Sequence, residues 1–344
     1  VSLFSQLEQE RRKVDYDTFD ISVRELVSMA VEDIIDIAPA YQRHFRWEPV
    51  NQSRFIESVF LGIPIPSLFA ATNLDGSWEL IDGVQRLNTL IHFVCNEEQL
   101  EKFGLPGPLR ITGLETLTEL NGKNFDDLDK GVQYKLLLRP VKITNLSDKS
   151  DHKVRFDLFE RLNTGGVILT DQEIRACVFK GHFNDFIEEM SKRDSFNSVV
   201  NFPRQRVKDG TPEEFVLKFF AYFCDRDSFQ HSVSGFLNEF MRKSEKKFNY
   251  KKMESLFERT FDKLSRELPN GIRRGRASTT PVNLYEAITV GAATALNNGH
   301  EIEGKSVAEW IEDPELTALT SGGGTNSRTK LNARVDYCVR RFSA

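Results

Sequence analysis

The amino-acid sequence predicts an α+β protein in which a small mixed sheet with helices, over residues 1–180, precedes an all-helical region over 181–344. Two observations predict it. In the front half, short apolar runs bounded by Gly, Pro and Asp alternate with stretches whose apolar residues recur at i, i+3, i+4 and i+7, the separate periods of strand and helix. From Asp151 onward the helical period alone remains.

The elements follow in order. Residues 1–35 read as a short helix and a second one after Ser22, because Ser22 and Glu25 have the S-x-x-E spacing of a capping box. Residues 34–38 (IIDIA) read as a strand, and YQRHFRWEP at 41–49 as a loop. Asn51–Leu61 predicts a helix with Phe55, Ile56, Val59 and Phe60 on one face. Gly62 stops it, and Pro64 and Pro66 prevent its resumption. Ser67–Ala71 and 78–81 (WELI) read as strands. Asp82-Gly83 breaks the second, and Leu87, Leu90, Ile91 and Val94 predict a helix opening near Val84. Residues 104–131 read as irregular, and 135–144 (KLLLRPVKIT) as a strand in which Pro140 is awkward. A helix from Asp151 ends at Asn163-Thr164-Gly165-Gly166, and Thr170 with Glu173 opens the next through a capping box. Helical spacing then covers 183–191, 211–225, 229–244, 250–267, 281–297, 305–311 and 328–342.

Composition excludes several classes. With 344 residues, 40% hydrophobic and 28% charged, the chain has material for a substantial core and is not globally disordered. No apolar run approaches the roughly 18 residues of a membrane span, and the N-terminus lacks the apolar stretch of a signal peptide, so a cytoplasmic location is expected. Cys95, Cys177, Cys224 and Cys338 lie far apart with no C-x-x-C pair, which points to buried free thiols in a reducing compartment rather than a zinc site. The net charge of −5 does not mark a nucleic-acid binder. DNA contact would have to come from local clusters: Arg204, Arg206 and Lys208; Arg273, Arg274 and Arg276; and the flexible tip SGGGTNSRTK at 321–330. The plainer reading of each is a solvated face.

Three segments could carry chemistry. In IDGVQRL, 81–87, a strand runs into Asp82-Gly83 and a helix opens at once. The unpartnered N–H groups and positive end of that helix suit an anion. Gly83 permits close approach of a ligand, Arg86 could fork onto a phosphate, and Asp82 could hold a metal ion or orient a water. The plainer reading makes Asp82 an N-cap and Arg86 a surface residue. In YQRHFRW, 41–47, Gln42, Arg43, His44 and Arg46 stand among Tyr41, Phe45 and Trp47, a mixture suited to phosphate binding and base stacking or to an anchored surface loop. In FERLNTGG, 159–166, Arg161 and Asn163 could meet phosphate or base edges, or the segment could be a helix C-cap and turn.

Taken together and in this order, these segments resemble the N-terminal domain family of GmrSD-type restriction endonucleases, related to ParB and sulfiredoxin. The matching residues are Gln42, Arg43, Phe45 and Trp47; Gly62, Pro64, Ile65 and Pro66; Asp82, Gly83, Gln85, Arg86 and Leu87; then Phe159, Arg161 through Gly166, Leu169, Glu173, Ile174 and Arg175. The resemblance implies a ParB/sulfiredoxin-like fold and nucleoside triphosphate binding and hydrolysis in bacterial phage defence, with a regulating or contributing role in DNA cleavage. It implies catalytic and phosphate roles for Asp82 and Arg86, with Gln42, Arg43, Gly83, Gln85, Arg161, Asn163 and Thr164 completing the pocket. Mg²⁺ or another divalent cation would accompany the nucleotide, and DNA would be a further partner. The first Gln of the family's D-G-Q-Q-R is Val84 here, and an apolar side chain cannot position a water. A non-catalytic module holding a nucleotide or modified DNA is therefore an alternative, as is a direct metal-dependent nickase. The six histidines show no His-Asn-His grouping, so if DNA is cut, a separate nuclease subunit is the expected source of the cleavage.

Residues 299–306, GHEIEGKS, fit the P-loop expression G-x-x-x-x-G-K-[ST]. The preceding stretch reads as a helix rather than the required strand, and Glu301 and Glu303 would repel phosphates, so a turn with Gly299 as a C-cap is expected.

Overall fold

The computed structural model describes all residues except 1, 12–13, 38–46, 74, 148–151, 163–169, 208 and 322–325. The chain forms two compact units, Val1–Ile168 and Leu169–Ala344. The first is mixed and the second helical, the α+β class expected.

The first unit runs α1 (Leu3–Arg11), β1 (Tyr16–Ser22), α2 (Val23–Val31), β2 (Ile35–Asp36), α3 (Pro49–Leu61), β3 (Leu68–Thr72), β4 (Trp78–Asp82), α4 (Val84–Val94), α5 (Glu97–Lys102), α6 (Lys130–Leu137), β5 (Pro140–Leu146) and α7 (His152–Leu162). Its five-stranded sheet has the order β1-β5-β3-β4-β2. β1 pairs antiparallel with β5, from Tyr16 opposite Leu146 to Ser22 opposite Pro140. β5 is parallel to β3, β3 antiparallel to β4, and β4 parallel to β2. β4 thus pairs with β3 up to Asp82 and with β2 only at Trp78 and Glu79, so β3 is the strand beside its C-terminal end.

Helices α2, α3 and α4 bury the apolar stripes that their periodicity predicts: Val23, Leu26 and Val27; Phe55, Ile56 and Val59; Leu87, Leu90 and Ile91. Each fully buried aliphatic side chain contributes about 1.5–3 kcal/mol. Ser22 caps α2 by accepting from Glu25 N at 3.2 Å. Gly62 ends α3 in the left-handed region, φ +72, where an L side chain is strained.

Two expectations are corrected here. Lys130–Leu137 is a helix, so the strand read over 135–144 begins only at Pro140. The run Leu136-Leu137-Leu138 has no period by which strand and helix can be told apart. Pro140 fits because it is the first residue of β5. Strand β1 replaces the helical reading of its stretch; none of its residues is buried, so the sequence YDTFDIS carries no alternation.

Buried between α3 and α4, His92 sits with Nδ1 2.8 Å from Gln52 Oε1 and Nε2 3.1 Å from Gly107 O. Burial lowers its pKa from the ordinary 6.5, opposed by the carbonyls of Gly107 and Pro106. A folded pKa below the unfolded one means that stability is present above about pH 6.5 and is lost as pH falls through the folded value. The melting temperature is therefore expected to drop between pH 7.5 and 5.5. His92→Asn should make that decline shallower, as read by thermal unfolding at each pH; an unchanged slope would count against His92.

The second unit runs α8 (Asp171–Val178), α9 (His182–Ser191), α10 (Asp194–Val199), α11 (Thr211–Asp225), α12 (Val233–Lys246), α13 (Tyr250–Glu267), α14 (Val282–Asn297), α15 (Val307–Trp310), α16 (Pro314–Thr320) and α17 (Arg328–Ser343), with short 3₁₀ turns. Thr170 and Glu173 make the full reciprocal capping box at α8. An aromatic core fills the unit, with Phe215 and Tyr285 rings 4.7 Å apart and Phe257 and Phe261 rings 4.4 Å apart. α14 is apolar on nearly every face and is its central helix. Of the four cysteines, Cys95, Cys177 and Cys338 are buried free thiols as expected, whereas Cys224 is exposed. Among the described residues, no helix is long and apolar enough to cross a membrane.

Candidate functional site

The site forms where β4 becomes α4. Asp82 is the last residue of β4, and Gly83, with φ +101, is the N-cap of α4. A side chain at Gly83 would strike Leu68: its Cβ would lie 2.2 Å from Leu68 Cδ2. Glycine is required there both by the positive φ and by the close packing of β3 beneath the turn. Gly83 offers no side-chain cap to α4, and Asp82 does not act as one. The first turn of α4 therefore presents its N–H groups and the positive end of its dipole without an internal carboxylate in the capping position.

Asp82 turns instead to Arg86. Its Oδ2 accepts from Arg86 Nη2 at 2.5 Å, an i,i+4 pair in which the Asp82 side chain remains 40% exposed and that of Arg86 only 13%. Arg86 Nη1 also donates to Pro66 O, and to Ser67 O at 3.1 Å. One guanidinium thus ties the irregular Pro64-Ile65-Pro66 segment to the Asp82-Gly83 turn and holds the carboxylate in place. The sequence gives no hint of these two carbonyl partners, because they lie 20 and 19 residues away in an irregular segment.

Gln85, one residue earlier in the same turn, accepts from Trp47 N at 3.2 Å. Trp47 O accepts from Gln52 Nε2 at 2.8 Å, and the Trp47 ring meets Phe55 edge-on at 5.6 Å. Trp47 is therefore fastened to the first turn of α4 and to α3. Gln52 is a residue that sequence reasoning missed; no periodic or motif signal distinguishes it. Val84, the departure from the family pattern, is 8% exposed and packs inward.

Of the expected site residues, Asp82, Gly83, Gln85 and Arg86 thus lie together in one turn. Arg161 is exposed in the last turn of α7, which packs against β4. Gln42, Arg43, Asn163 and Thr164 lie outside the described residues. For a metal, no group of three or more His, Cys, Asp or Glu side chains suited to one occurs among the described residues. Mg²⁺ is commonly held by one or two carboxylates together with substrate phosphates, and Asp82 fits the part of a single such carboxylate.

With this geometry in view, residues 23–180 can be compared with known proteins. They match the family model of the GmrSD restriction endonuclease, N-terminal domain. The chain therefore carries a GmrSD-type N-terminal domain, a restriction-system component, over that stretch. No curated protein and no solved structure gives a match. The Asp82–Arg86 turn lies within the GmrSD-type segment, as do Gly62, Pro64 and Pro66, which the Arg86 brace and the α3 stop position.

Outside that segment, two further expectations meet the structure. Arg274 donates from Nε to Ile311 O at 2.6 Å and from Nη1 to Thr320 Oγ1 at 2.7 Å, and burial lowers its pKa. It braces the loop between α13 and α14, while Arg276 is exposed and Arg273 half-buried. Of the first basic cluster, Lys208 lies outside the described residues, as do 322–325 of the glycine-rich tip. At 299–306 the preceding element is the helix α14, not a strand, and Gly299 follows it with φ +87. Glu267 Oε1 accepts from Gly304 N at 2.6 Å, so a carboxylate of the protein occupies an N–H that a P-loop would aim at phosphate.

Proposed function

We propose that the GmrSD-type domain binds a nucleoside triphosphate with its phosphates at the first turn of α4, and that Asp82 acts in its hydrolysis. The observation that carries this reading is a half-exposed carboxylate, held by a largely buried arginine, at the mouth of a helix N-terminus that has no side-chain cap. Gly83 lets the phosphate chain approach the backbone, and the helix dipole and N–H groups complement its charge. Asp82 would meet a Mg²⁺ carried in by the triphosphate or orient the attacking water, while Arg86 serves as its positioning residue. A divalent ion there supplies neutralisation of phosphate charge. Exposed Arg276 and half-buried Arg273 are the residues through which DNA would be contacted, and DNA cleavage would fall to a nuclease partner that nucleotide turnover regulates.

Asp82→Asn keeps the size of the side chain and an acceptor for Arg86 but removes the charge. Phosphate release from nucleoside triphosphates with Mg²⁺ is expected to fall by about 100-fold or more. Equal release by wild type and variant would refute catalysis by Asp82. A second reading, binding without turnover, is favoured by the inward-packed Val84 in place of the family's Gln and by Arg86's commitment to Pro66, Ser67 and Asp82. Saturable nucleotide binding with no phosphate release by the wild type would decide for it.

A further inference from the structure

The open edge of the five-stranded sheet is a surface that the turn at α4 does not use. β1 is the outermost strand on that side, with β5 as its inner neighbour. Ser147 N donates to Asp15 O at 3.0 Å and Val23 N to Arg139 O at 2.9 Å, both in the register that sets Tyr16 opposite Leu146. In an antiparallel pair, the residues that exchange such bonds alternate along the strand. Asp15, Asp17, Phe19 and Ile21 therefore turn their backbone groups toward β5, and Tyr16, Thr18 and Asp20 turn theirs outward. Among the described residues nothing pairs with those three. An edge of this kind is a template for another strand.

Exposed apolar side chains belong to the same stretch of chain. Tyr16 is 59% exposed and Phe19 39%. Val14, just before the strand, is 46% exposed, and α1 leaves Leu3 72%, Phe4 73% and Leu7 59% exposed. Residues 3, 4 and 7 share one face of a helix. A helix as short as α1 is marginal alone in water and depends on the packing of its apolar face, yet α1 buries none of its nine residues. Together the six side chains leave on the order of 700 Å² open, against about 800 Å² that each partner buries in a standard interface. The backbone and polar atoms of a paired strand supply the difference.

We propose that β1 pairs antiparallel with β1 of a second copy of this chain, with Phe19 on the two-fold axis, and that the α1 stripes close over the seam. The pairing is isologous and joins two five-stranded sheets into one. Charged edge strands resist pairing, and β1 carries Asp17 and Asp20, but this register answers the objection. Thr18 stands opposite Asp20 of the second copy, Tyr16 opposite Ser22, and Asp17 opposite Ile21. No carboxylate faces a carboxylate, and Thr18 is placed to donate to Asp20. On its inner side Asp20 is opposite Lys142 of β5, which offsets the charge that remains. Phe19 falls at a non-hydrogen-bonded position, where opposed Cα atoms come within about 4.5 Å and the two rings can meet.

Sedimentation velocity of the full chain over a concentration series tests this. The proteins compared are wild type, Thr18→Pro, the double variant Leu3→Lys, Leu7→Lys, and Ile63→Lys. Proline at position 18 removes an outward N–H and leaves the bonds to β5 intact. Ile63, 51% exposed away from this edge, is the control. Wild type and Ile63→Lys are expected to dimerise at micromolar concentration, and the other two at least about tenfold more weakly. Phe19→Cys in a Cys224→Ser background, which removes the exposed native thiol, gives a second reading should Thr18→Pro not fold. Under mild oxidation it should form a covalent dimer, because opposed residues at such a position are within disulfide reach; Asp17→Cys should not. A wild type that stays monomeric, a folded Thr18→Pro that dimerises like wild type, or a Phe19→Cys that cross-links no better than Asp17→Cys would each overturn the proposal. So would a dimer lost in Ile63→Lys, which would place the contact elsewhere. Unchanged affinity in Leu3→Lys, Leu7→Lys would overturn the part given to α1.

Discussion

Gly83→Ala is expected to destabilise the first unit by about 2–5 kcal/mol, combining a left-handed backbone that alanine resists with overpacking of a filled site. The backbone φ of +101 is one cause, and the 2.2 Å approach of the added Cβ to Leu68 Cδ2 is the other. Leu68 is 0% exposed and sits in β3 beneath the turn, so it has no free volume into which to swing. Gly76 separates the two causes. It has φ +88, and an added Cβ there would meet nothing within 4 Å, so Gly76→Ala should cost only the backbone part. That part is about 1–2 kcal/mol. Chemical denaturation of both variants measures the difference. Similar losses at the two glycines would mean that β3 does not press on the turn as described.

Glu286→Ala is expected to be at least as damaging, about 3–5 kcal/mol, because it leaves buried cations without their partner. Glu286 is 3% exposed between Arg334, 2% exposed, and Lys218, 9% exposed. The double variant Glu286→Leu, Arg334→Leu removes both signs together and fills the volume with apolar atoms. It should recover a large part of the loss, since replacing a buried pair costs far less than breaking one. Unfolding curves in which the double variant is as unstable as the single one would contradict the ion chain across α11, α14 and α17.

These two residues also mark what the sequence could and could not disclose. Gly83 was legible: a strand that stops at Asp82-Gly83 before a helical period reads as a turn needing glycine, and the structure places it at the N-cap of α4. The helices whose apolar stripes face a core, such as α3 and α4, were legible because one periodicity reports one buried face. Strand β1 was not, because an edge strand with no buried residue has no stripe to report. Glu286 was hidden differently. It stands among apolar residues of α14, and its partner Arg334 lies 48 positions away, a pairing that only tertiary packing creates. The site divides along the same line. Asp82, Gly83 and Arg86 stood out as neighbours at a strand-to-helix turn and Gln85 through the family resemblance, whereas the carbonyls of Pro66 and Ser67 that hold Arg86, and the Trp47–Gln52 contact, depend on the folded chain.

The most direct measurement is a crystal structure of the chain with a non-hydrolysable nucleoside triphosphate analogue and Mg²⁺. The expected result is a phosphate within hydrogen-bond distance of the first N–H groups of α4, with the Asp82 carboxylate facing the terminal phosphate or its metal ion. An analogue bound elsewhere, with the Gly83 turn empty, would contradict the account.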